Sequence, residues 1–180
     1  SVRNVVISNC VFVGTDRGIR IKSRRGRGGC VENVRVQGMV MDHVGCSIVL
    51  NKFYASDPDS PFGSASQRTP AFRHLAFSSV TARQASVAGF LLGLPEMPIE
   101  HVSLSDIYVE ATSDRRIRPA MIRGSIPALE TRDFHGLYCK HVRKVSCRGV
   151  EIVTRKGGPL LYEDVDQADF AGLGFRRLDG

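Results

Sequence analysis

Apolar residues recur along this chain in a fixed asymmetric pattern. Writing Φ for an apolar residue, Φ-x-x-Φ-x-Φ-x-x-Φ fits Val2, Val5, Ile7, Cys10, then Val31, Val34, Val36, Met39, then Phe72, Leu75, Phe77, Val80, and then Ile99, Val102, Leu104, Ile107. Weaker copies stand at Val142, Val145, Cys147, Val150 and at Val165, Ala168, Phe170, Leu173. The central Φ-x-Φ has the period of a strand with one face buried. Asn4, Asn33, His74 and His101 flank it on one side, and Asn9, Gly38, Ser79, Asp106, Gly149 and Gly172 on the other. These are turn residues, so each unit is predicted to bend at two fixed places.

A second strand follows in most units, at Gly18–Ser23, Cys46–Phe53, Val87–Leu92 and Pro159–Glu163. Short strands, tight turns and no sustained helical period predict an all-β, right-handed, single-stranded parallel β-helix of about six coils. A β-sandwich fits less well, because its strands would not repeat one asymmetric template. First positions are spaced by 29, 41, 27, 43 and 23 residues, so the unit is lengthened twice. The extra residues are expected as loop insertions near 55–71 and 111–140 within one partial domain, 1–180. The first repeat opens at Val2, so the solenoid is expected to be N-terminally truncated. Alone it should be insoluble, associate end to end, or need the missing coils as its covering.

The chain has 180 residues, 42% hydrophobic, with mean hydropathy −0.10, which suits one domain with an adequate core. No apolar run reaches the roughly 20 residues of a membrane helix, and no targeting signal opens the chain. Five cysteines without a Cys-x-x-Cys pair argue against a disulfide scaffold and a zinc site, so no metal and no cofactor are expected.

Charge changes the picture more. The net charge is +7, and six basic residues fall within the eleven positions from Arg17 to Arg27. In Gly18-Ile19-Arg20-Ile21-Lys22-Ser23, strand alternation sends Ile19 and Ile21 inward and Arg20 and Lys22 outward, about 7 Å apart. That is a two-pronged clamp for an anion.

These residues resemble a known family. Val2-Arg3-Asn4-Val5-Val6-Ile7-Ser8-Asn9-Cys10-Val11-Phe12 followed by Gly14 to Ser23 is similar to the later coils of polygalacturonases, glycoside hydrolase family 28, whose Arg-Ile-Lys signature is matched by Arg20-Ile21-Lys22. The resemblance extends weakly through Gly136-Leu137-Tyr138 and Pro159 to Val165. It implies inverting hydrolysis of α-1,4-galacturonosyl linkages in pectin by a secreted or periplasmic enzyme. It further implies that Arg20 and Lys22 bind the galacturonate carboxylate beside the scissile bond and that Tyr54 lines the same groove. The implied partner is an acidic, galacturonate-containing polysaccharide or oligosaccharide, with no nucleic acid and no membrane.

The family's Asn-Thr-Asp, Asp-Asp and Gly-His-Gly motifs are absent from the nineteen residues ahead of Arg20. They supply the acid and base of an inverting mechanism, so no catalytic residue is assigned and this segment alone is expected to be inactive. His135 reads as a loop histidine. Adjacent Glu163 and Asp164 should point to opposite strand faces and so make no working pair. Asp16 is expected to orient Arg17 or cap a turn, His74 and His101 to form a polar ladder, and Cys10 and Cys147 to be core thiols. A non-catalytic β-helix that binds carbohydrate, such as a spike or adhesin segment, is the alternative. A nucleic-acid module ranks third, since the basic cluster lacks aromatic stacking platforms.

Overall fold

The computed structural model describes residues 1–53, 68–113 and 134–178. Ten strands follow one another: β1 (Val2–Val13), β2 (Arg17–Lys22), β3 (Cys30–Asp42), β4 (Cys46–Asn51), β5 (Ala71–Ala85), β6 (Val87–Leu92), β7 (Val102–Ala111), β8 (Leu137–Thr154), β9 (Leu160–Asp169) and β10 (Leu173–Arg177). Every pairing between them is parallel, in the order β1-β3-β5-β7-β8-β6-β4-β2, with β9 and β10 also on β8. Odd strands pair with odd strands and even with even until β8, which pairs with both β7 and β6. The sheet therefore wraps round one interior as a parallel β-helix.

Register reproduces the repeat. Val5, Val34, Leu75, Val102, Val145 and Ala168 stand in one ladder. A second holds Ile7, Val36, Phe77, Leu104 and Cys147, and a third holds Cys10, Met39, Val80, Ile107, Val150 and Leu173. Their central residues form the interior cluster; those of β1 and Leu173 are only partly buried against it, and Ala168 is exposed. Each fully buried side chain contributes about 1.5–3 kcal/mol, and stacking like on like lets neighbouring coils share one cross-section.

Long strands turn corners because single residues adopt left-handed φ. Asn4, Asn33 and His74 have φ of 56°, 53° and 53°, and Asn9, Gly38, Ser79, Asp106 and Gly149 have φ of 57°, 67°, 52°, 52° and 60°. Small or hydrogen-bonding side chains tolerate that region best, which is why the polar flanks of the repeat mark the corners. Asn33 Nδ2 donates to Asn4 Oδ1 at 2.7 Å, and the His74 and His101 rings meet edge-on at 6.1 Å, so the first of these corners carries a polar ladder.

Some expectations shift. Leu137–Lys140 is strand, paired with β6 and β9, so the second insertion ends earlier than residue 140 and the fourth unit does have its second strand. Ala71 begins β5 and Ala111 ends β7, which trims both insertions. Glu163 and Asp164 do not alternate across a strand, because Asp164 sits at a corner with φ of 51°. His135 is buried, its Nδ1 2.7 Å from the Ser86 carbonyl oxygen. Cys147 is a core thiol, whereas Cys10 is half-buried on β1.

Candidate functional site

β2 presents the candidate clamp. Ile19 lies in the interior cluster and Ile21 packs against it, so Arg20 and Lys22 leave the other face, Arg20 half-buried and Lys22 exposed. Gly18 fixes how closely β2 approaches the next coil. A Cβ there would lie 2.6 Å from the Ser47 carbonyl oxygen and 2.5 Å from Met41 Sδ, so a side chain would push the clamp strand off β4.

Coil register names the neighbours. Arg20 heads the row Val49, Phe90, Tyr138, Leu161, and Lys22 heads Asn51, Leu92, Lys140, Glu163. The first row is not the solvated face that alternation alone suggests. Val49, Phe90 and Tyr138 are buried in a second apolar cluster with Cys46, Val87 and Leu92, against which Phe53 and Phe134 pack. β4 and β6 are buried along their whole length. Arg20 and Lys22 thus stand at the end of a face whose next two coils are buried among apolar side chains.

The basic cluster around them is partly committed. Arg17 is buried, and its Nη1 donates to the Asp16 carbonyl oxygen at 2.6 Å, so Asp16 does help to orient it. Burial pushes the neighbouring Cys46 thiol up to about 12, an effect that Arg17 partly opposes. Arg25 grips Glu96 bidentately, Nε to Oε1 at 2.6 Å and Nη2 to Oε2 at 2.9 Å. That hydrogen bonding holds the Glu96 carboxyl below its ordinary value and raises Arg25. Lys52 is fully buried, with Nζ donating to the Met97 carbonyl oxygen and lying 5.6 Å from the centre of the Phe72 ring. Burial brings its pKa down to about 8, against the pull of Glu96 and Glu100. Tyr54 lies outside the described residues.

Farther along the same face, Tyr138 Oη donates to Glu163 Oε1 at 2.7 Å and Lys140 Nζ pairs with Glu163 Oε2 at 2.9 Å. Lys140 and then Tyr138 hold the Glu163 carboxyl below the usual carboxylate range, while burial first and Glu163 second push the Tyr138 phenol up. His141 Nδ1 lies 3.0 Å from Asp164 Oδ2. Each of these acids is therefore engaged by its own base. Among the described residues, no group of three or more His, Cys, Asp and Glu side chains is placed to hold a metal.

The sequence singled out Arg20 and Lys22 as candidates and gave no sign of Lys52, the Arg25–Glu96 pair or the Tyr138–Glu163 contact. The repeat holds no signal for the Arg25–Glu96 pair, because the backbone leaves the ladder after Ser23.

A probable polygalacturonase from Vitis vinifera is 25% identical over 118 residues, 66% of this chain and 24% of that protein. One from Arabidopsis thaliana is 29% identical over 115 residues, 63% of this chain and 25% of that protein. An endo-polygalacturonase from Pectobacterium carotovorum subsp. carotovorum is 25% identical over 122 residues, 68% of this chain and 28% of that protein. The chain spans about a quarter of the length of these relatives. No solved structure gives a significant match. The family model for glycosyl hydrolases family 28 matches residues 1–121, a stretch that contains β2 and the strands β4 and β6 stacked on it, and the chain belongs to that family.

Proposed function

We propose that this chain is part of a polygalacturonase-type glycosidase acting on α-1,4-galacturonosyl linkages, and that it supplies the grip on a substrate carboxylate. The observation that supports this best is the placement of Arg20 and Lys22 on one face of β2, opposite the core-facing Ile19 and Ile21. A guanidinium can hold a carboxylate through two parallel hydrogen bonds, and an ammonium on a four-carbon stem adds a movable point charge. Pectin offers one carboxylate per unesterified galacturonate, so the pair sets the position of a sugar ring along the groove. Contacts beside the scissile bond help catalysis when they tighten as charge develops on the leaving oxygen. Tyr54, on the segment following β4, is our candidate for the aromatic surface under a ring. The proton transfers of inverting hydrolysis need two carboxyl groups about 6.5–9.5 Å apart, and we assign those to other parts of the protein. An enzyme acting on pectin works outside the cytoplasm, and we place this one as secreted or periplasmic.

Calorimetric titration with trigalacturonate tests the reading. Arg20→Ala should weaken binding at least about tenfold, equal to about 1.4 kcal/mol. Full methyl esterification of the ligand should cause a similar loss in the unsubstituted protein, since the ester keeps the ring and removes the charge. Equal affinity for the acid and the ester, or an Arg20→Ala protein that binds as well as the parent, would sink it. Tighter binding to a DNA oligonucleotide than to the sugar would favour a phosphate partner instead.

A further inference from the structure

Lys22 is the last residue of β2, and the chain behind it lacks sheet support. After Ser23 N donates to the Asn51 carbonyl oxygen at 2.9 Å, the backbone leaves the ladder and runs through Gly26, Gly28 and Gly29, with φ of 83°, 62° and 75°. Glycine-rich backbone loses more freedom on ordering than any other, so this segment is poorly suited to holding the end of a binding strand still.

Something nevertheless holds it. Arg25, three residues beyond Lys22, reaches past the second coil to Glu96 on the third, and both side chains are largely shielded, at 15% and 25% exposure. Bidentate geometry fixes direction as well as distance, unlike a loose surface ion pair. Glu96 itself sits on a tight turn closed by Leu94 and Met97, whose backbone groups bond in both directions at 3.4 and 3.1 Å. From beneath, Lys52 of the second coil donates to the Met97 carbonyl oxygen, with its Nζ over the Phe72 ring. Three consecutive coils therefore each contribute one charged group to a single strap.

We propose that Arg25, Glu96 and Lys52 are positioning residues for the anion clamp: they fasten the glycine-rich segment behind Lys22 to the third coil and so fix where Lys22 meets a galacturonate carboxylate. This rests on the reading of Arg20 and Lys22 given above. Glu96 is the informative member, because electrostatics and positioning make opposite predictions for it. Its carboxylate opposes an anionic ligand and occupies Arg25. Removing its charge raises the local positive potential and releases a guanidinium, so on charge alone Glu96→Gln would bind a polyanion more tightly. If the strap positions Lys22, the same change weakens binding.

The test is calorimetric titration of trigalacturonate into the parent protein and into Glu96→Gln, Lys22→Ala and the double variant, with thermal midpoints measured alongside. Glu96→Gln is expected to weaken binding about fivefold in the parent and to have little further effect once Lys22 is absent, the non-additivity of residues that act through one another. Arg25→Lys, which keeps the charge but not the fork, should fall between the parent and Glu96→Gln. Unchanged or tighter binding by Glu96→Gln, while Lys22→Ala binds weakly, would overturn the strap and leave the clamp standing. A loss of equal size with and without Lys22 would also overturn it. If Lys22→Ala and Arg20→Ala both bind like the parent, the clamp itself fails and the strap with it.

Discussion

Lys52 is buried, and burial is the main reason its ammonium gives up its proton near pH 8 rather than at the ordinary 10.5. Glu96 and Glu100 oppose that fall, and Arg25 adds to it. Because the folded-state pKa is the lower one, the unfolded chain binds this proton more tightly between about pH 8 and 10.5. Stability from this group therefore rises with pH through that window, and the cost of the buried charge is fully present below it. The shift corresponds to a change on the order of 3 kcal/mol. Other groups act in the opposite sense at the alkaline end: burial raises the thiols of Cys46 to about 12 and Cys147 to about 11, and raises Cys139 and Tyr138 as well. Lys52→Met leaves those groups in place and nearly conserves volume. The stability difference between the two proteins from urea unfolding at pH 7.5 and pH 10.5 should thus isolate Lys52. The parent is expected to gain on the variant by up to about 3 kcal/mol over that interval. A difference independent of pH would show that the ammonium is solvated.

At the scale of the strand, the two sheet faces carry different kinds of order. Inside, like residues stack on like; outside, Arg3, Glu32 and Arg73 stand in adjacent register positions with pairings of 2.9 and 3.1 Å. Alternating charge disfavours a slip that would set like beside like, so these exposed pairs serve register more than net stability. β4 and β6 follow neither pattern. Their outer positions Val49, Phe90 and Leu92 are buried in the second cluster, so period-two alternation was a poor guide to which face is wet. Phe90 is 4% exposed, with its ring 6.4 Å from that of Phe134. Phe90→Ala should lower stability by about 3 kcal/mol in urea unfolding, the usual cost of a large cavity. A loss below about 1 kcal/mol would mean that the second cluster collapses freely or is open to water. The difference between the two faces also marks where sequence reading succeeds. The interior ladders and corner residues were legible because stacking forces one cross-section on successive coils. The second cluster was not, because what packs on the outside of a solenoid comes from segments outside the repeat, such as Phe53 and Phe134.

For the molecule as a whole, the β-helix could be read from one line of sequence, whereas the Arg25–Glu96 pairing required three coils to be superposed in space. The same superposition bears on whether this chain can do chemistry. Inverting hydrolysis needs one carboxyl group protonated and another ionised across the scissile bond, about 6.5–9.5 Å apart. Along the two rows headed by Arg20 and Lys22, the only carboxylate is Glu163, four register steps from Lys22 and so about 19 Å away at 4.8 Å per step. It accepts hydrogen bonds from Tyr138 and pairs with Lys140, both of which favour its ionised form and disfavour a role as an acid. Glu96 is nearer but is committed to Arg25 with its pKa lowered, and its neighbour Lys52 is a cation rather than a second carboxyl. The two rows and Glu96 therefore offer no acid–base pair beside the proposed clamp. The 180-residue chain should therefore bind trigalacturonate without releasing reducing ends from polygalacturonate above the uncatalysed background. Incubating purified chain with polygalacturonate and assaying reducing ends beside an Arg20→Ala control tests this. Release that depends on Arg20 would overturn this prediction.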